Sequence, residues 1–308
     1  MSTLKSLIKR NTKLFFKDRG MFFTSLITPL ILLALYASFL SNVYEETFRS
    51  ALTAAGAAVS DRLIGGCVGG ELASSLLAVC CVTVAFCSNM LMVQDKVTGA
   101  RRDLTISPVK GSTLALGYYA ATLLSTVLVC FVAAGVCLLY LAGAGWYLSA
   151  ADVVCLLLDV FLLALFGTAL SSIINHFLSS QGQISAVGTI VSAGYGFVCG
   201  AYMPISQFSG GLQKVISFLP GTYGTSLLRN HALRGVFEEM SRQGFPSEAV
   251  EAIKDAVDCN LYFFGNRVEM STMYLILVST VAALIAVYVL LNRMHGRRKQ
   301  TGRKGVVA

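Results

Sequence analysis

Only 13% of this 308-residue chain is charged, against roughly a quarter in an average soluble domain. With 55% hydrophobic residues and a mean hydropathy of +0.70, that scarcity excludes a disordered chain and a typical water-soluble enzyme. Histidine is equally rare: His176, His231 and His295 stand far apart, and neither HExxH nor the nucleophile elbow GxSxG occurs. No glycine is followed by lysine, so a P-loop of the form GxxxxGK[ST] is absent and this chain does not bind ATP in that way. The nine cysteines carry no CxxC pair, which argues against a metal site or disulfide framework and leaves them as small apolar packing residues. Cys67 and Cys259 lie outside the apolar segments, and the sequence leaves their pairing open.

What is present is apolar sequence in long runs. Six segments, at 21–41, 71–93, 112–142, 152–174, 183–203 and 272–292, are long enough to cross a hydrocarbon core of about 30 Å as helices. Helices satisfy their own backbone in lipid, and the alternating ten-residue strands of a barrel are missing. The expected fold is an all-α integral membrane protein with six transmembrane helices. A cytoplasmic arm (1–20), a membrane domain (21–292) and a basic tail (293–308) divide the chain.

The 24 Lys and Arg fall between these segments. They do not gather on a groove-sized face as in a nucleic-acid binder, and no nucleic-acid partner is expected. With the N-terminus inside, the arm, the 94–111 loop and the tail hold sixteen of them against Asp18, Asp95 and Asp103. The positive-inside rule then puts both termini in the cytoplasm of a multi-pass protein of the cell membrane. The first apolar run follows six basic residues and is too long for a signal-peptide core, so it is expected to remain as the first span. Before it, Leu4, Leu7, Ile8, Leu14 and Phe15 recur at helical spacing, with Lys5, Lys9, Lys13 and Lys17 largely on another face. That pattern predicts an amphipathic interfacial helix on the inner leaflet, with membrane lipid as its partner.

Ionisable residues inside apolar segments are functional candidates by default. Asp152 and Asp159 are seven apart on one face of the fourth segment, and Glu71 begins the second from the same side. Two readings stand side by side: a polar lining of an outward cavity or cationic-substrate site, and plain interhelical hydrogen bonding. Gly65 to Gly69, Gly66 to Gly70 and Gly196 to Gly200 form GxxxG patterns, which serve close packing within the bundle better than a dimer seam.

After the fifth segment the apolar character persists in pieces too short to span. Phe197 to Ile205 includes Met203 and Pro204; Phe218 to Tyr223 includes Pro220; then come Leu227, Leu228, Arg229 and Leu233. The prolines break these pieces, which predicts short re-entrant helices in the outer leaflet within an outer region spanning 204–271. A further outer helix is expected from Ser247, with Ala249, Val250, Ile253 and Val257 on one face.

From Gly200 to Gly235 the sequence resembles the permease subunits of type-2 ABC exporters, particularly the drug-export-like branch. Met before Pro-Ile, a short helix, Leu219-Pro220-x-x-Tyr223 and the Leu228-Arg229 helix carry the likeness. It extends to the layout of basic arm, six spans and large outer loop. The segment Gln94 to Val109 also resembles the coupling helix of that family, with Asp95, Gly99 and Ser107-Pro108 in place and Lys96 where relatives commonly have a second acid. Independently of the family, Leu104 and Ile106 among Arg101, Arg102 and Asp103 offer an apolar contact with a polar rim.

The resemblance implies a transport subunit without its own ATPase. Two ATP-binding subunits, holding ATP and Mg, would dock through Asp95, Lys96, Gly99, Arg101, Arg102, Leu104, Ile106 and Pro108, and this chain would bind no cofactor or metal. It implies a second permease chain, identical or related, and a route or gate involving Glu71, Asp159, Met203, Pro204, Pro220 and Tyr223. The almost wholly apolar spans and the single tryptophan, Trp146, favour a hydrophobic or amphipathic cargo such as a drug, antibiotic peptide or lipid-like compound. The alternatives are a lipid-linked glycan exporter of the same family and a proton-coupled secondary transporter using Asp159; against the latter, neither half of the sequence repeats the other.

Overall fold

The computed structural model describes residues 3–54, 60–106 and 109–304. Over these residues it is a helical bundle with one small hairpin. Helix α1 (Thr3–Lys17) ends at Asp18, whose carboxylate accepts the Met21 N–H and caps α2 (Arg19–Leu35). The two helices meet at 73°. Pro29 sits inside α2, and the chain continues without a break through a π turn (Tyr36–Leu40) into α3 (Ser41–Ala54).

Ser60 caps α4 (Asp61–Val97), the axis of the molecule, which is buried along nearly all of its length. The short α5 (Ala100–Ile106) leads to α6 (Gly111–Ala144) and α7 (Ala150–Phe177), which lie against α4. Helix α6 and the stretch Met270–Met294 of α12 are mostly unburied, and residues such as Val132, Leu139 and Leu275 are exposed. Lipid is the solvent that accepts such faces.

The expected first and fifth spans are α2 and α8 (Gln181–Val198). By length and apolar character, α4, α6, α7 and α12 qualify as spans, and the bent pair α1–α2 would make a fifth. Helix α8, with Gln181, Gln183, Ser185 and Thr189 in 18 residues, falls outside that set. The helices also overrun the predicted segments: α3 carries the first to Ala54, and α4 begins at Asp61 rather than 71.

Beyond α8 the chain forms a 3-10 turn (Ile205–Gln207), α9 (Gly210–Ile216), α10 (Pro220–Arg242) and α11 (Ser247–Ala256). Of the two short helices expected here, α9 is short, whereas α10 runs for 23 residues and packs on α4, α7 and α12. Ser247 opens α11 as its first residue, and Val250 and Ile253 are buried as the pattern predicts. Strands β1 (Leu261–Phe263) and β2 (Asn266–Val268) form an antiparallel hairpin before α12 (Met270–Lys304).

The α4 glycines serve intramolecular approach. A Cβ on Gly65 would strike the Ala144 carbonyl, and one on Gly70 would lie 2.5 Å from Leu233 of α10. The apolar stripe of α1 is turned into the protein: Leu7 and Phe15 are buried, Leu7 against Gly117 of α6. The sequence had assigned that stripe to lipid. Cys67 and Cys259 are buried free thiols.

Candidate functional site

At its C-terminal end α4 continues through Gln94–Val97, so Asp95 and Lys96 occupy a helical turn whose side chains are used internally. Asp95 is buried and accepts from Arg10 Nη1 at 2.7 Å, Arg10 Nη2 at 3.2 Å and the Tyr118 hydroxyl at 2.5 Å. One carboxylate thereby ties α1, α4 and α6 together. Its hydrogen bond raises the already high pKa of the Arg10 guanidinium, against the opposing effect of partial burial.

Lys96 Nζ donates to the carbonyl oxygens of Asn175, His176 and Leu178 at 2.9, 2.7 and 2.9 Å. These are the acceptors left at the C-terminal end of α7, where a cation is favoured. A second acid at position 96 would face carbonyl oxygens, which accounts for the departure from the family pattern.

Gly99, at φ +85°, turns the chain into α5 at a backbone conformation that costs glycine nothing sterically. The two apolar residues of α5 separate here. Leu104 is half-buried against the cluster of Leu7, Met92 and Leu114, whereas Ile106 is 72% exposed. Arg102 and Asp103 are exposed beside it and Arg101 is half-buried. Pro108 lies outside the described residues.

At the other end of the bundle, the three carboxylates singled out from sequence each meet a basic side chain of α10. Glu71 Oε1 is 2.7 Å from Arg229 Nη2. Asp159 Oδ2 is 2.6 Å from His231 Nδ1, and its Oδ1 accepts the Tyr274 hydroxyl of α12 at 2.5 Å. Asp152 lies 3.5 Å from Arg234 while closing a capping box with Ser149 at the start of α7. Each of these pairs joins α10 to a neighbouring helix, α4 or α7. His231 is buried where α10 packs on α7.

Arg229 is the centre of this assembly. Besides Glu71 it reaches Asp258 Oδ2 at 3.2 Å, Ser75 Oγ at 3.1 Å and the Gly200 carbonyl at 2.7 Å. The Arg229 and Glu71 side chains are each 1% exposed and that of Asp258 5%. Asp258 also accepts the Ile205 N–H at 2.7 Å. Helix α4, the turn after α8, α10 and the loop before β1 are thus fastened at one guanidinium. Charges this far from water persist only when paired and hydrogen-bonded.

The remaining gate candidates surround that knot. Pro204 is buried and Met203 half-buried just before Ile205. Pro220 opens α10, where its missing N–H is not needed, and Tyr223 donates its hydroxyl to the Ser217 carbonyl at 2.5 Å.

A groove of about 1010 Å³ runs along the side of the bundle between α2, α4 and α8. Its lining extends from Asp18, Gln94 and Gln181 at one end to Tyr36, Phe197 and Tyr202 at the other. Ile27, Ile31 and Leu35 give it an apolar wall on α2, opposite Ser185, Thr189 and Ser192 on α8. A second cavity of about 500 Å³, between α2 and α6, is lined by Leu26, Pro29, Leu76 and Val132 among other apolar side chains. Glu71, Asp159, Met203, Pro204, Pro220 and Tyr223 line neither.

Sequence reasoning passed over Asp258, and took Arg229 only as part of a motif. The available signal was an arginine among Leu227, Leu228 and Leu233 with Glu71 as an equally isolated acid. Asp258, at φ +53° in a polar loop, gives no such signal.

Residues 2–232 match the family model described as ABC-2 type transporter. No curated protein matches the chain.

Proposed function

The chain belongs to the ABC-2 type transporter family, and from that premise we propose an export permease that moves hydrophobic or amphipathic compounds outward using ATP hydrolysed by a separate subunit. Membership makes it the multi-pass membrane subunit of an ABC transporter. In this reading six helices cross the cell membrane, α2 and α8 among them, with both termini cytoplasmic. Two ATP-binding subunits, carrying ATP and Mg²⁺, dock against α5. Ile106 and Val97, which are exposed, and Arg102 with Asp103 at the rim supply the contact.

The observation that carries the substrate class is the groove along α2, α4 and α8. It has aliphatic residues on one wall and uncharged polar residues on the other, which suits an amphipathic molecule. A second permease chain, identical or related, would close the open side of the groove into a chamber. Nucleotide-driven closure of the ATPases moves α5 and, through the Arg10–Asp95 pair, α1. That motion is productive only if the nucleotide state contacts the inward and outward arrangements with different energy. Met203, Pro204, Pro220 and Tyr223, fixed around the Arg229 knot, form the outer gate.

The enclosure of Asp159 by His231 and Tyr274 speaks for a fastening rather than a proton path, which weighs against a secondary transporter. The test is stimulation of ATP hydrolysis by the assembled complex in liposomes. Hydrophobic amphiphiles are expected to stimulate it; stimulation by lipid-linked glycans alone would replace the proposed substrate class.

A further inference from the structure

The residue at one turn of the outer region conflicts with its backbone. Strands β1 and β2 are joined by Phe264 and Gly265 at φ +49° and +86°. This is the two-residue hairpin turn whose first position is ordinarily Asn, Asp or Gly. A bulky aromatic in the left-handed region carries a backbone cost that Asn would avoid. Burial does not offset it, because Phe264 is 57% exposed.

Phe264 has company. Its ring centroid lies 4.9 Å from that of Phe263 and 5.9 Å from that of Phe218, and Phe218 and Phe263 are 5.2 Å apart. All three are exposed, as is Val215 of α9. Lys214 Nζ stands 5.9 Å from the Phe264 centroid.

We propose that this tip is a membrane anchor: the Phe218–Phe263–Phe264 cluster inserts at the headgroup boundary of the outer leaflet, with Lys214 directed to lipid phosphate. The inference rests on the reading above that α9 is tucked into the outer leaflet. Three observations favour lipid over a protein partner. The patch is a hairpin tip beside a seven-residue helix, a projecting shape that enters a fluid without needing a complementary pocket. Lys214 complements phosphate, whereas the neighbouring acid Asp255 is already engaged by Asn260 and the Tyr262 hydroxyl. That engagement keeps the phenol's polar end away from the phenylalanine tip, in the amphipathic order of an interfacial aromatic belt. Finally, the base of the patch adjoins the membrane bundle, since the Thr222 hydroxyl donates to the Val198 carbonyl at 3.4 Å and Phe197 and Val198 are exposed apolar residues closing α8.

Trp146 is the one tryptophan of the chain, so the test can be made with a single reporter. The full-length Trp146→Phe, Phe264→Trp protein is reconstituted into liposomes whose lipids carry bromine at either the shallow or the deep end of the acyl chain. Shallow bromines are expected to quench the emission at least two-fold, deep ones less, and aqueous iodide little. Quenching by iodide without bromine would place the tip in water, and quenching by neither would place it under protein, including a second copy; either result overturns the anchor. Should the Phe264→Trp substitution disturb the hairpin, Phe218→Trp in the same Trp146→Phe background reads the same patch. Because the permease is read without nucleotide or ATPase, failure here is distinguishable from failure of the transport reading.

Discussion

Replacing Arg229 by methionine leaves a side chain of similar length and removes the guanidinium from between Glu71 and Asp258. Both carboxylates stay almost inaccessible to solvent, and Ser75 and the Gly200 carbonyl lose a donor as well. Removing one partner of a buried ion pair costs about 3–5 kcal/mol, because the other charge is left uncompensated. At a few degrees per kcal/mol for a chain of this size, the thermal midpoint should fall by about 6–10 °C. The neutral triple variant Arg229→Met, Glu71→Gln, Asp258→Asn should recover most of that loss, since it removes the charges together. Eight of the nine cysteines are buried free thiols, so a thiol-reactive fluorogenic dye reports unfolding of the wild-type scaffold without added labels. A midpoint for Arg229→Met within about 2 °C of wild type, or a triple variant as unstable as the single one, would refute the reasoning.

Three other outcomes follow from named contacts. Lys96→Met strips the α7 end of three hydrogen bonds from a charged donor and should cost about 2 kcal/mol in the same thermal assay, while Lys96→Arg should retain part of it. Ile106→Asp should weaken capture of the ATPase subunit at least about tenfold with the permease still stable, whereas Leu104→Asp, directed into the core, should destabilise the permease itself. Asp159→Asn keeps an acceptor for Tyr274, so ATP-driven transport should stay within about threefold of wild type; complete loss of transport in a correctly folded variant would favour the proton-coupled alternative.

The long apolar helices were legible because lipid imposes length and composition on them directly. Their ends were less so: Ser41–Ala54 is polar, and nothing in its composition says that it prolongs the first span. The stripe of Leu7 and Phe15 was legible as periodicity, but periodicity names a buried face without naming its cover, and the cover is α6 rather than lipid alone. Leu104 and Ile106 illustrate the same limit within one short helix. Glu71, Asp152 and Asp159 announced themselves as misplaced charges, whereas their partners did not, because pairing across distant segments is a property of the packed bundle. Lys96 reads in the sequence as a departure from a motif and in three dimensions as the cap of another helix.

The account stands most directly on what drives transport. The complex of this chain with its ATP-binding subunit, reconstituted so that ATP is supplied on the α5 side, should move a hydrophobic fluorescent amphiphile across the bilayer only when ATP and Mg²⁺ are present, and should continue when an ionophore collapses the proton gradient. Transport by this chain without ATP, abolished by the ionophore, would contradict the account.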